Sequence, residues 1–347
     1  MKTHRFYLMI ALLLVALTSC KDSGKKGILT PTSSGLPYEL MLVIDDSLYE
    51  DEVGQTIRDV LTTNVPGLPQ PEASFKLMHI DPSRFDRMLK PIRNIVIVDI
   101  DRQQYTEARF NGAKDVYAFP QSILTIQAPD KASFIEFVQL NAQQIIDYFT
   151  KAEMNRQFSI LEKHHNVMAS DKVREMFACD VWLPGELKSS MEKENFYWVG
   201  TNEGAADRYF VMYTIPYEDK DSFTQEYFIH KRDSAMQNIR GTNEETMHMM
   251  TVPGHTQTQV ISVQGSYTLE ARGLWQMKND MMGGPYVSHM RLDEQNKRLV
   301  IAEVFVYAPE KMKRNLLRQL EASLYTLRLP ADLAKHEANL ENDKTDE

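Results

Sequence analysis

Cysteine is almost missing: Cys20 and Cys179 are the two in 347 residues. A disulfide framework is therefore excluded as the source of stability. After the first twenty residues no apolar run is long enough to span a bilayer, which takes about 20 residues. Positive charge is also in deficit, with 39 Lys and Arg against 48 Asp and Glu. That balance argues against phosphate-backbone binding and a nucleic-acid partner, which need clustered cations. No Gly-x-Ser-x-Gly elbow, His-Glu-x-x-His pair or phosphate-binding Gly-Lys-Ser/Thr loop occurs. Apolar residues make up 43% of the chain, enough for real cores, and the length suggests two domains.

The first twenty residues have their own character. Lys2 and Arg5 precede an unbroken apolar run, Phe6 to Leu17, and Leu17-Thr18-Ser19-Cys20 follows at once. Basic start, short apolar centre and small residues at the end are the pattern of a secretory leader, expected over residues 1–19. The Leu-Thr-Ser-Cys ending resembles the lipobox of bacterial lipoproteins, which implies acylation of Cys20. In that setting Lys21, where an inner-membrane retention signal would have Asp, points to the outer membrane facing the periplasm. Loss of the leader removes Lys2 and Arg5 and leaves 37 basic against 48 acidic residues, a formal charge of −11. With Cys20 acylated, Cys179 stands alone and reads as a buried structural thiol.

Residues 20–36, rich in Gly, Ser, Lys and Thr, read as a flexible tether. Residues 37–155 read as an N-terminal α/β unit. Its strands are Tyr38–Ile44, Phe75–Ile80, Asn94–Ile100 and Ile123–Gln127, with a further piece near Val116–Ala118. Helices are expected from Leu48 to Thr62 and, briefly, around Phe85–Leu89. The longest helical pattern runs from Asp130 to about His164 and is expected to break near Asn155. Residues 156–330 read as an α+β unit with a mixed or antiparallel sheet. Strands are placed at Tyr209–Ile215, Ser266–Lys278, Val287–Arg291 and Leu299–Tyr307, and a final helix reaches Leu327. Residues 331–347, acid-rich and without aromatics, read as a disordered tail. The fold class is thus α+β or α/β, two sheet-and-helix units joined by a long helix. Asp-Lys-x-Ser-Phe recurs at 130–134 and 219–223. It fits either a repeated helix-start signal or two related halves.

Two stretches offer chemistry. In Asn243–His255, Glu245 and His248 would share a helical face and His255 could close a zinc set of one carboxylate and two imidazoles. Eight of the 19 methionines fall between Met236 and Met290. Thioethers with imidazole suit copper(I), although methionines fill cores equally well. Neither stretch has a metalloenzyme spacing, so the leading expectation is a non-enzymatic binding or assembly module without cofactor. A metal-dependent hydrolase or soft-metal binder is the alternative.

The whole pattern is familiar. It includes the lipobox, Pro31-Thr-Ser-Ser-Gly35-Leu-Pro-Tyr38, Asn195-Phe-Tyr-Trp198, Tyr213-Thr-Ile-Pro216-Tyr217, Gly273-Leu-Trp275 and Met282-Gly-Gly-Pro285. Together these resemble an uncharacterised family of Bacteroidetes-type envelope lipoproteins, classed as a domain of unknown function. The resemblance implies lipidation and an envelope location, with attachment to the membrane through acyl chains, but no activity or functional residue; an envelope protein is the partner expected of a binding or assembly module.

The leader reading makes a direct prediction. Cells fed a labelled fatty acid should incorporate label into the wild-type chain, and Cys20→Ser should incorporate none and leave the membrane fraction. Equal labelling of the two would show that Cys20 is not the acylated residue.

Overall fold

The computed structural model describes residues 30–335 except residue 202. Cys20, the leader and residues 336–347 lie outside the described residues. The architecture is α+β.

The first unit holds β1 (Glu39–Val43), α1 (Asp46–Tyr49), α2 (Glu52–Leu61), β2 (Lys76–Ile80), β3 (Asn94–Ile100), β4 (Arg109–Lys114) and β5 (Ser122–Ala128). Its 5-stranded sheet has the order β2-β1-β3-β5-β4. The first four strands run parallel and β4 lies antiparallel on the edge. Near-continuous apolar runs such as Asn-Ile-Val-Ile-Val-Asp-Ile in β3 suit the centre of a parallel sheet. Three helices follow, α3 (Lys131–Leu140), α4 (Ala142–His164) and α5 (Val167–Phe177). Leu40, Leu42, Val96 and Ile126 pack under Val53 and Ile57 of α2, Phe134 of α3 and Phe149 of α4. The other face, with Met41, Val43, Ile95 and Ile123, is covered by two loop segments, one carrying Phe85 and Leu89 and the other Tyr117.

The second unit contains β6 (Ser189–Lys193), β7 (Phe196–Gly200), β8 (Asp207–Pro216), α6 (Gln225–Met236), β9 (Met249–Thr251), β10 (Gln257–Val263), β11 (Ser266–Met277), β12 (Gly283–Asp293), β13 (Arg298–Tyr307) and α7 (Arg314–Thr326). The 8-stranded sheet runs β10-β11-β12-β13-β8-β7-β6, with β9 paired to β11, and every pairing is antiparallel. Helices α5 and α7 cover one face through Val173, Phe177, Leu317, Leu320 and Leu324. Helix α6 covers the other through Phe228 and Met236. Under α6, Arg232 and Glu303 are fully buried and paired at 2.7 and 2.8 Å. Tyr286 lies 3.9 Å from the guanidinium carbon, and Arg232 donates to Thr251 Oγ1.

Several expectations are corrected. The long helix breaks at Asn141, which leaves helical geometry at φ −112° and ψ 19° while its backbone N–H and its side chain both donate to the Phe137 carbonyl. Asn155 lies inside α4. Strands β4 and β10 escaped the periodicity because they are largely exposed edge strands with few apolar residues. Val116–Ala118 is a turn, and the helix expected at Phe85–Leu89 reduces to a 3-10 turn at Pro82–Arg84. The end of the tether is pinned: Ser33 N donates to Phe119 O and Ser34 N to Pro91 O. The start of the tail is also held, since Asp332 accepts from the buried Arg291 at 2.8 Å. The repeated Asp-Lys-x-Ser-Phe is a helix-start signal both times, with Asp130 and Asp219 capping. The sheets that carry the two copies differ in topology, so they do not form related halves.

The units are locked by a long-range cap. Lys313 stands at the N-cap of helix α7 and its side chain supplies no cap. Glu72 of the first unit supplies it, accepting from Lys313 N at 2.7 Å and Arg314 N at 2.9 Å. Glu72 is 2% exposed, so both donors would be stranded without it. Glu72→Ala is expected to lower stability by about 2 kcal/mol, the loss of a cap with two buried amides unpaired. Urea unfolding reads this directly, and an unchanged midpoint would remove the cap from the account.

Candidate functional site

The expected metal set does not assemble. Glu245 sits in an exposed turn and not on a helix. His248 leaves that turn into β9, and its carbonyl accepts from Lys278 N. His255 is exposed, with its backbone against Gly273. Gly273 on β11 and Lys278 just past its end are five residues apart, so the two histidine backbones are roughly 15 Å apart at about 3.3 Å per residue. Partial burial and the cations of Lys278 and Arg240 hold the His248 imidazole below its usual range, the wrong electrostatics for a cation site. Among the described residues no group of three or more His, Cys, Asp or Glu could hold a metal ion. The methionines are core: Met236, Met249, Met277 and Met290 are buried on the α6 face of the large sheet. Met281 is fully exposed. Cys179 is buried in the other core, and desolvation pushes its thiol up to about 12.

What the fold does assemble lies between the units. A cavity of about 850 Å³ is walled by α4, the loop after α2, β10, β11 and α7. Helix α4 contributes Asp147, Thr150, Lys151, Met154 and Phe158, spaced at three and four on one face. The loop is held close by Gly67 at φ +78°, where a Cβ would press within 3.1 Å of Arg272 Cβ.

The floor is a charge cluster centred on Arg272. Glu270 and Arg272 are two apart on β11 and so share a face. Arg272 donates to both Glu270 oxygens at 2.8 and 2.9 Å. It also donates to Glu321 of α7, from Nη1 at 3.2 Å and from Nη2 in a shorter contact. Gln259, opposite Glu270 on β10, donates to it at 2.6 Å. His289, opposite on β12, has Nε2 3.5 Å from the same carboxylate and is fully buried. Tyr325 meets the His289 ring edge to face at 4.9 Å. Burial would raise the Glu270 pKa, but contact with His289 and Arg272 outweighs it and holds the carboxyl well below its usual range. Burial drives the Tyr325 hydroxyl up, with Glu321 and Glu270 adding to the effect.

Arg318 completes the wall. It lies one turn before Glu321, 9% exposed, with its guanidinium over the Tyr38 ring at 4.7 Å. Its Nη1 is buried and makes no hydrogen bond within the protein, and neither does Thr150 Oγ1. Two unpaired polar groups therefore border a space large enough for a ligand. The charged lining of Lys151, Arg272 and Arg318 against Asp147, Glu270 and Glu321 is balanced in sign.

These residues were not singled out from the sequence. They come from four separated segments, and α7 reads first as a leucine stripe. The available signal was a second stripe, Arg318, Glu321 and Tyr325 at i, i+3 and i+7, together with Glu270-x-Arg272 in a strand.

Comparison with known proteins divides the chain similarly. Residues 33–162 match the model of a domain of unknown function (DUF8532), and residues 166–326 match another domain of unknown function (DUF4837). No curated protein matches the chain. Among solved structures, the Saccharomyces cerevisiae Ran-binding protein Mog1p is 11% identical at a TM-score of 0.29, covering 44% of this chain and 90% of that one. A mutant of the protein Mog1 gives 11% and 0.28 over the same shares. Likeness at that level carries no argument about fold or function.

The Glu270 cluster predicts a pH dependence. Its folded pKa lies below the unfolded one, so its stabilisation is complete above about pH 4.3 and fades as pH falls below that. Urea midpoints measured from about pH 7 down to pH 3 should drop on the acid side. Glu270→Gln should be weaker throughout and show a shallower acid slope. Parallel curves would show that Glu270 does not carry the effect.

Proposed function

We propose that this chain is a lipid-anchored cell-envelope protein whose inter-unit cleft binds a small polar ligand, without catalysis. The anchor reading rests on the Leu17-Thr-Ser-Cys20 ending of the leader. The binding reading rests on one observation above all: the buried, unpaired Nη1 of Arg318 at the wall of a cavity of about 850 Å³. A cavity of that size at a domain interface is where ligands are commonly held. An unpaired buried donor costs stability until an acceptor arrives.

The lining defines the ligand class. Arg318 calls for an acceptor, and a carboxylate answers with charge-assisted bonds. Asp147 and the outer lone pairs of Glu321 call for donors. Val65, Ile146, Met154 and Phe158 supply apolar contact. A carboxylate-bearing molecule with amino or amide donors, such as an amino acid or short peptide, meets all three demands. The carboxylates are already committed to Arg272, so the cluster serves as a rigid floor and not as a proton shuttle.

The test is thermal denaturation against a panel of amino acids, dipeptides and tripeptides. A ligand at one hundred times its Kd should stabilise the wild type by about 2.7 kcal/mol, several degrees in Tm. Arg318→Gln should fold and lose most of that shift. The reading fails if no carboxylate ligand moves the wild-type Tm, or if the variant responds equally.

A further inference from the structure

A second concavity, of about 780 Å³, lies where the N-terminal ends of β3 and β5 meet α4. Its lining carries Arg93, Lys114, Lys151, Arg156 and Lys163 against one carboxylate, Asp115, whose side chain accepts from Gln121 N. On a chain with an acidic excess this local balance is inverted. Phe119 and Ile160, 59% and 52% exposed, stand at the same groove.

The base of the groove is short of negative charge. Glu153 is buried and shared by two guanidiniums, Arg93 Nη2 at 2.9 Å and Arg156 Nη1 at 2.9 Å. Asn94 fixes the arrangement, donating to Glu153 at 2.7 Å and accepting from Arg156 at 2.9 Å. Arg156 is 8% exposed, and Arg93 Nε is buried without a hydrogen bond in the protein. Arg156 is buried and Arg93 partly exposed; with Lys114, Lys151 and Lys163 they set five cations against the carboxylates of Glu153 and Asp115, an excess of positive charge that a further anion would balance. A phosphate oxygen suits a guanidinium well.

The same rim receives the chain from its N-terminal side. Thr32 and Ser33 line the groove. Cys20 lies ten residues before Thr30, a span of at most about 35 Å when fully extended. We propose that this groove takes the phosphate headgroup of an anionic lipid from the bilayer that holds the Cys20 acyl chains. Lys114, Lys151 and Lys163 ring the phosphate, and Phe119 and Ile160 meet the acyl boundary. This rests on the anchor reading given above. The remaining acidic surface is repelled by the same lipids, so the groove sets which face turns to the membrane.

The experiment uses the chain from Lys21 onward, which keeps every described residue and carries no acyl group. Its sedimentation with vesicles of phosphatidylcholine is compared with that on vesicles one-third phosphatidylglycerol. Salt-sensitive binding to the second alone is expected. Each lysine near the surface is worth about fivefold in partitioning, so Lys114→Glu, Lys151→Glu and Lys163→Glu together should lower it at least about a hundredfold. These lysines are exposed, and an unchanged Tm confirms the fold. Reversal of Lys188 and Lys220, outside the groove, should leave partitioning within about twofold. Equal partitioning onto both vesicles overturns the proposal, as does an equal loss from the outside lysines. Protection of the groove by inorganic phosphate without vesicle binding assigns it to free phosphate and overturns the lipid. Because Cys20 is absent, failure here leaves acylation to be judged by the labelling of Cys20→Ser.

Discussion

Glu72 holds this molecule together. It sits in the first unit but caps the final helix of the second, accepting from the two leading amides of α7. A buried carboxylate there meets the positive end of the helix dipole as well as two donors that have no other partner. Arg314 reinforces the joint by donating to the Ala73 carbonyl, and Asn315 by donating to the Pro37 carbonyl at 3.2 Å. The placement of α7 decides where Arg318, Glu321 and Tyr325 point, so the cleft inherits its geometry from this one contact.

The cluster on the cleft floor follows a different logic. Arg272 is bridged by two carboxylates, and a third interaction ties Glu270 to Gln259. Buried charges of this kind add little net stability over an apolar core, because desolvation offsets the attraction. What they provide is a fixed orientation for each group. A rigid floor reduces the ordering cost of any ligand that settles on it. The Arg232–Glu303 pair under α6 has the same chemistry but borders neither of the two larger cavities. It fixes the packing of α6 instead.

Much of the fold was legible because burial writes itself into sequence. The strand Asn94–Ile100 and the long strands ending at Pro216 and Tyr307 are apolar enough to be read without neighbours. Strands β4 and β10 were not legible, since their polar, exposed residues are set by pairing with β5 and β11. The helix break at Asn141 is a local change of backbone angle, to φ −112° and ψ 19°, under an apolar spacing that continues undisturbed. The cleft was hidden for a stronger reason. Asp147, Gln259, Glu270 and Arg318 are brought together only by tertiary packing. Spacing searches favour local sets such as Glu245, His248 and His255, and these the fold disperses along β9 and its flanking turns.

The cap on α7 joins residues 241 apart in the chain. Closing a loop of that length costs entropy that no local contact repays, so such contacts form after the hairpins β10 through β13 and the helices around β1. Tyr38, near the start of the fold, waits for its cationic cover until Arg314 and Arg318 of α7 have been made and placed. The seam between the units is therefore the last part of the molecule to close. Each unit closes on its own apolar core, and the cleft is the part of the molecule whose geometry depends on both.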